Sequence, residues 1–319
     1  MNYRLYICAS DAEGGLYQYI LDEKGKLSKE EITPLDTPMY SIFSGDKIYV
    51  ILNECFPEGF GGLLSFDIDE KGNLSNRSET VSTLGKVPCH LTEADGKIYC
   101  VCYVSGSVFM TPDKSVVHTG SGPNLPRQSA AHTHFVTETP DKKYIAVTDL
   151  GTDQIYFYSK DLTPEHTLKT PEGSGVRHLV FSKDGRYMYA VTELYSTVLV
   201  YSYGKNTEDI SLLGSYNALP EDFTQKNTAA AIRLDEDYLY VSNRGHNSLV
   251  RFKISGDVLE NREFFTCGGD GPRDFDIFGD YIVVTNEKSN NITVINKKTG
   301  EITDNTAAPS PIAVIGKAI

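Results

Sequence analysis

The chain has 319 residues, with 30 basic against 43 acidic side chains, and its net charge of −13 would repel a nucleic-acid backbone or an anionic membrane surface. No apolar stretch approaches the length of a membrane span, and the opening MNYRLYICAS lacks the basic and apolar regions of a signal peptide, so a cytoplasmic protein is expected. Length alone would allow two domains, but one repeating pattern runs from end to end without a Pro/Ser-rich linker or charge block, which argues for a single domain over residues 1–319.

In chain order, YRLYICAS, GGLYQYILD and KLSKEEITPL read as the second, third and fourth strands of a unit whose first strand is missing. A recurring second-strand pattern follows: KIYVILNE at Lys47, KIYCVCYV at Lys97, KYIAVTDL at Lys143, RYMYAVTE at Arg186, DYLYVSNR at Asp237 and DYIVVTNE at Asp280. The clearest copy, VRHLVFSKDGRYMYAVTELYSTVLVYSY over residues 176–203, holds three short apolar strands, the first two joined by a Lys-Asp-Gly-Arg turn. Asp-Gly between two β-rich runs is a strong hairpin signal. The period averages about 46 residues, that of a four-stranded propeller blade, and strands apolar on both faces suit blades that pack against neighbours on both sides.

First strands begin at Met39, Cys89, His132, Val176, Ala229, Arg273 and Ile312, which gives seven. The last, Ser310-Pro311-Ile312-Ala313-Val314-Ile315, supplies the strand missing at the other end. The predicted fold is therefore all-β: a seven-bladed β-propeller of four-stranded antiparallel blades, its ring closed by the C-terminal strand joining the N-terminal blade. No long amphipathic helix is legible, and the lack of Trp argues against the tryptophan-aspartate repeat class. The Gly/Pro-rich stretch at 101–131 reads as a long return, of a size usually functional or disordered. Six cysteines include no CxxC pair; Cys100 and Cys102 share a strand face as small buried residues, with a metal or disulfide pair as the alternative.

Hairpin arithmetic turns spacing into proximity. Centring the Asp184-Gly185 turn sets Arg177 opposite Thr192 and Val176 opposite Glu193, to within about one or two residues. The same count puts His132 and His134 opposite Gly151 and Asp149, Arg244 beside Thr228, and Arg273 beside Thr285 and Asn286. One face of the ring is thus expected to gather His132, His134, Arg177, Glu193, Arg244, Arg273 and Glu287, with Asn53 and Glu54 reaching the same rim. Guanidiniums hold carboxylate or phosphate oxygens and stabilise an oxyanion, while a His or Glu moves a proton. The alternatives are structural: a buried Arg177–Glu193 pair, His134 donating to a loop carbonyl, His178 pointing away from Arg177 between blades, Arg244 or Arg273 clamping a loop acid, and His246 and Glu287 in exposed corners. No GxSxG, GxxxxGK[ST] or HExxH is present, and no His/carboxylate set has metal-ligand spacing, so neither metal nor other cofactor is expected.

At these residues the sequence resembles the seven-bladed β-propeller lactonases, which include propeller-type 6-phosphogluconolactonases and, more distantly, a carboxymuconate cycloisomerase. The matching stretches are GPNLPRQSAAHTHFV, DLGTDQIYFY, VRHLVFSKDGRYMYAVTELYSTVLVY, LYVSNRGHNSLV, GPRDF and NEKSNNITV. The resemblance implies catalysis by His132, Arg177, Glu193 and Arg244. It adds Arg273 as a further anion contact, beside His134, Glu54, Asn286 and Glu287 as substrate-binding candidates from the rim. Ala231 stands where similar members often carry an acid, Glu287 where they often have Gln, and Cys102 replaces a usual Asn. The expected function is hydrolysis of a sugar-derived, phosphorylated lactone in carbohydrate metabolism, along the pentose phosphate pathway. His132 or Glu193 would act as base, with an anionic small molecule as partner and oligomeric state open. A cycloisomerase of the carboxymuconate type and a non-catalytic binding propeller are the alternatives.

Overall fold

A computed structural model describes residues 1–11, 14–204 and 207–319. Seven antiparallel sheets are built from them, and the only helical pieces among the described residues are two single 3-10 turns, Pro57–Gly59 and Thr207–Asp209. The chain divides into two compact units, residues 1–88 with 266–319, and residues 89–265.

In the first unit, the C-terminal strand Pro311–Ala318 pairs with Tyr3–Ala9, which continues into Gly15–Leu21 and Leu27–Pro34. Ile7 lies opposite Val314, and the Ser10 amide donates to the Ser310 carbonyl at 3.1 Å. The missing first strand is supplied from the far end of the sequence, as its pattern predicted, and Tyr3–Ala9 has a paired strand on each side. A second sheet runs from Pro38–Ser44 through Lys47–Phe56 to Phe60–Ile68, and a third from Pro272–Phe278 to Ile302–Ala307.

The second unit holds four sheets, whose first strands are Pro88–Ala94, Thr133–Glu138, Val176–Phe181 and Thr228–Asp235. Consecutive sheets pack face to face. Phe135, Ala146, Ile155 and Phe157 of one meet Leu179, Met188, Ala190 and Leu199 of the next, whose other face packs through Val191, Val198 and Val200 on Ile232, Val241 and Val250. Both faces of the middle sheet are covered, so its strands are apolar without alternation. Each fully buried Leu, Val or Phe contributes about 1.5–3 kcal/mol relative to exposure.

The stretch at 101–131 differs from the long return expected. Residues Ser107–Met110 and Lys114–Val117 form outer strands of the first sheet of this unit, so only residues 118–132 make the return. Val108, Phe109 and Met110 are a short continuous apolar run, as in a strand covered on both faces, which the surrounding Gly and Pro obscured.

The first-strand ladders share a device that simple hairpin arithmetic does not foresee. Register shifts fall between Pro38 and Tyr40, Thr133 and Phe135, Val176 and His178, Ala229 and Ile232, and Pro272 and Asp274. Each is a β-bulge that leaves an extra residue unpaired and re-aims its side chain. Those residues are Met39, His134, Arg177, Ala230 with Ala231, and Arg273. Consequently Thr192 lies opposite Val176 rather than Arg177, and Asp149 opposite Thr133 rather than His134, whereas Arg244 pairs with Thr228 as counted.

Candidate functional site

Glu193 directly follows the strand Tyr187–Thr192, where its amide donates to the Gly175 carbonyl at 2.8 Å and its carbonyl accepts from Ala229 at 3.2 Å. With its backbone fixed at both ends, the side chain is buried and receives three arginines. Arg177 Nε lies 3.1 Å and Arg244 Nη2 2.7 Å from Oε2, and Arg127 Nη2 pairs with Oε1. Burial alone would raise the carboxyl pKa, but Arg244, Arg177, Arg127 and His134 outweigh it and hold the group well below the usual carboxylate range. Glu193 is therefore an ionised, fully engaged counter-ion, set among two positive charges in excess.

The arginines are themselves anchored. Arg177 Nη1 donates to the Ala230 carbonyl at 2.8 Å, and Arg244 Nη2 to the Ala229 carbonyl at 3.2 Å. Both carbonyls belong to the bulged first strand of the next sheet. A bulge in one strand thus aims Arg177, and a bulge in its neighbour presents acceptors.

His132 immediately precedes the strand Thr133–Glu138. Its amide donates to Asp149 Oδ1 at 2.8 Å, and its carbonyl accepts from Leu150 at 2.9 Å. The segment crosses close above Gly151, where a Cβ would lie 1.9 Å from the Ala130 carbonyl oxygen, so only glycine fits. The ring stacks on Tyr103, with centroids 4.3 Å apart and planes 5° from parallel. Nδ1 lies 2.9 Å from the Tyr103 carbonyl oxygen. A carbonyl only accepts, so Nδ1 carries the proton and Nε2 of the neutral ring keeps the lone pair, the arrangement a general base needs.

Asp149 is held in turn. Its Oδ2 lies 2.8 Å from His118 Nδ1, whose Nε2 is 2.7 Å from the Tyr158 hydroxyl, all buried. Gly151 and Thr152 amides also donate to Asp149 Oδ1. The carboxylate that seats His132 is thereby rigid.

Beside the arginines lies a second buried group. The rings of His134 and His178 are 5.3 Å apart, those of His90 and His178 5.6 Å, and Phe135 stands 4.0 Å from His90. Arg177 Nη1 is 3.0 Å from His178 Nε2, so the consecutive side chains meet, where strict alternation would have sent them to opposite faces. Burial, then Arg177 and the neighbouring histidines, push the His178 pKa well below its ordinary value, and burial with Arg233 and Arg177 does the same at His90. A guanidinium only donates, so His178 Nε2 accepts and the proton sits on Nδ1, buried without a hydrogen-bond partner among the described residues.

Within residues 89–265 the structure thus brings His132, His134, Arg177, Glu193 and Arg244 together. The other predicted site residues, Arg273, Glu287, Asn286 and Glu54, belong to the first unit. Arg273 Nη1 is 3.2 Å from both oxygens of Glu287, the loop-acid clamp already weighed. Asn286 is fully buried in its own hairpin, donating to the Cys267 carbonyl at 3.1 Å and Thr293 Oγ1 at 3.0 Å. Glu54 is exposed with φ +52°. Cys102 is buried in its strand, and Ala231 is part of the bulge, its amide 3.0 Å from Ser242 Oγ.

Sequence reasoning missed Arg127, Tyr103 and His118. Arg127 and His118 lie in the return at 118–132, which is longer than the corresponding returns of the other repeats, and Tyr103 follows the strand Lys97–Cys102. The only available signal was the length of that return and the PRQ within it. Among the described residues no group of three or more His, Cys, Asp or Glu is arranged to hold a metal ion, and no helix is long and apolar enough to cross a membrane.

The family model described as "Lactonase, 7-bladed beta-propeller" matches residues 4–315. The uncharacterized protein YwcC of Lactococcus lactis is 38% identical over 228 residues, 67% of this chain, and the match spans 64% of that relative's length. A 6-phosphogluconolactonase of Bacillus subtilis is 31% identical over 257 residues, 72% of this chain and 73% of that one. The solved structure of a periplasmic gluconolactonase from Pseudomonas aeruginosa superposes with TM-score 0.89 at 25% identity, covering 100% of this chain and 99% of that chain.

Proposed function

We propose that this chain, which belongs to the seven-bladed β-propeller lactonase family, hydrolyses a sugar-derived lactone that carries a phosphate group. The observation that carries the reading is the joining of a tautomer-fixed His132 to an arginine cluster, with excess positive charge, around the buried Glu193. His132 Nε2 takes a proton from water as the oxygen attacks the lactone carbonyl. An arginine of the cluster stabilises the oxyanion that forms, and the protonated imidazole returns its proton to the departing alkoxide as the ring C–O bond breaks. Glu193 is a poor base because protonating it would forfeit three guanidinium contacts; its part is to hold Arg177, Arg244 and Arg127 in place. The resemblance to a 6-phosphogluconolactonase and to a gluconolactonase supports an aldonolactone substrate. We place the activity in the cytoplasm as a separate proposal, which cell fractionation would check.

A panel of aldonolactones and phosphoaldonolactones, followed by base uptake at constant pH and corrected for spontaneous hydrolysis, is the test. Hydrolysis above background is expected. Conversion of an unsaturated diacid instead would make the protein a cycloisomerase, and no turnover of either class would leave a binding propeller.

A further inference from the structure

The three arginines around Glu193 are not equivalent. Arg177 is 3% exposed, and its described partners are Glu193, the Ala230 carbonyl and His178. Arg244 is 15% exposed and tied to Glu193 with the Thr228 and Ala229 carbonyls. Arg127 is 45% exposed. Its Nη2 pairs with Glu193 Oε1 and its Nη1 donates to the Tyr103 hydroxyl oxygen, which leaves three of its five N–H donors without a described partner.

We infer that Arg127 is the specificity-determining residue of this site and binds the phosphate group of the substrate. The inference rests on the lactonase reading for the reaction but not for the binding. Two positive charges in excess match a phosphomonoester, which carries about −1.5 to −2 at neutral pH, and an exposed guanidinium fork can grip two of its oxygens. Tyr103 adds a second donor. Its hydroxyl oxygen accepts from Arg127, so its own proton is available to the anion, and burial raises its pKa, keeping it a phenol. Since the Tyr103 ring also stacks on His132, a phosphate seated on Arg127 and Tyr103 is placed in fixed relation to the base.

The loop that carries Arg127 is not slack. The adjoining Gln128 is fully buried, with Nε2 donating to the Leu150 carbonyl at 2.8 Å and Oε1 accepting from the Asn124 amide at 3.0 Å. A Cβ at Gly122 would lie 2.6 Å from the Gln128 side chain, so the loop closes directly on it. Asn124 Nδ2 in turn donates to the Gly173 carbonyl. Arg127 is therefore presented from a fixed base, with its cost of ordering already met in the free protein.

The test compares kcat/KM for 6-phosphogluconolactone and gluconolactone in the parent protein, Arg127→Gln and Arg127→Lys, with inorganic phosphate binding measured by calorimetry on the same proteins. In Arg127→Gln the phosphorylated-to-neutral ratio of kcat/KM should fall at least tenfold, mostly through KM, and phosphate should bind at least tenfold more weakly. Arg127→Lys keeps the charge but not the fork, and should restore only part of both. An unchanged ratio, or equal phosphate affinity in parent and Arg127→Gln, overturns the inference. So does a parent protein that binds no phosphate. If the parent binds phosphate through Arg127 but opens no lactone, the lactonase reading fails and the anion site stands.

Discussion

Arg177 and Arg273 occupy the same place in their hairpins, and only one of them belongs to a converging cluster. Each is the extra residue of a first-strand bulge, and each meets an acid that directly follows the second strand, Glu193 after Tyr187–Thr192 or Glu287 after Tyr281–Asn286. Arg177 and Glu193 are both 3% exposed; Arg273 and Glu287 are 25% and 29% exposed. Glu193 receives two further arginines, from the return at 118–132 and from the strand Tyr238–Arg244. The repeat fixes where an Arg–Glu pair forms. Whether the pair becomes a site depends on what the neighbouring sheet and loop add, and on how completely water is removed.

That difference can be broken from either side. Glu193→Gln leaves three guanidiniums facing a neutral group in a buried place, and should cost about 3–5 kcal/mol of stability together with most of the activity. Urea denaturation measures the first, and a cost below about 1 kcal/mol would show the cluster to be solvated.

A pH titration of stability sharpens the comparison next. All seven histidines lie in residues 89–265 and none in the other unit. His90 and His178 have folded pKa values well below 6.5, so from about pH 6.5 downward the unfolded chain binds protons that the folded chain does not. Stability therefore falls as pH falls, by about 1.4 kcal/mol per pH unit for each histidine, until the folded values are reached. Glu193 is depressed in the folded state, so its stabilising share is complete above its ordinary value near 4.5 and is lost only on further acidification. Between pH 6.5 and 5 the histidines thus dominate, and His178→Gln should remove about half the slope. A slope unchanged by that substitution would mean the ring is charged or solvated in the fold. The smallest effect is expected at Glu287→Gln, about 0–1 kcal/mol, as for a pair open to water. A larger loss in the same urea experiment would erase the contrast.

Much of this was legible in the sequence. The recurring apolar strands and Asp-Gly turn located every first strand to within one residue, and the unpaired N-terminal pattern pointed to Pro311–Ala318 as its partner. Arg244 opposite Thr228 agrees with the count, although the bulge between Ala229 and Ile232 lies between that pair and the turn. The bulges were not legible, since a period-two pattern assumes one residue opposite one. Arg177 was therefore placed one residue off, and His178 was sent to the opposite face. Tyr103 lies near the end of the recurring KIYCVCYV but is neither a strong acid nor a base there, while Arg127 and His118 escaped because repeat logic only compares positions that recur. Their places are set by a return whose path depends on buried Gln128, on Gly122 and Gly151, and on Asp149 capping the segment before His132.

The central claim is that His132, with Nδ1 committed to the Tyr103 carbonyl, transfers the proton while Glu193 only holds the arginines. The most direct measurement is the steady-state hydrolysis of 6-phosphogluconolactone, corrected for its spontaneous rate, by the parent protein and His132→Asn with matched circular dichroism. The account predicts a kcat lower by roughly 10² to 10⁴ in the variant, the range for loss of general acid–base catalysis. Full activity in a folded His132→Asn protein would contradict it.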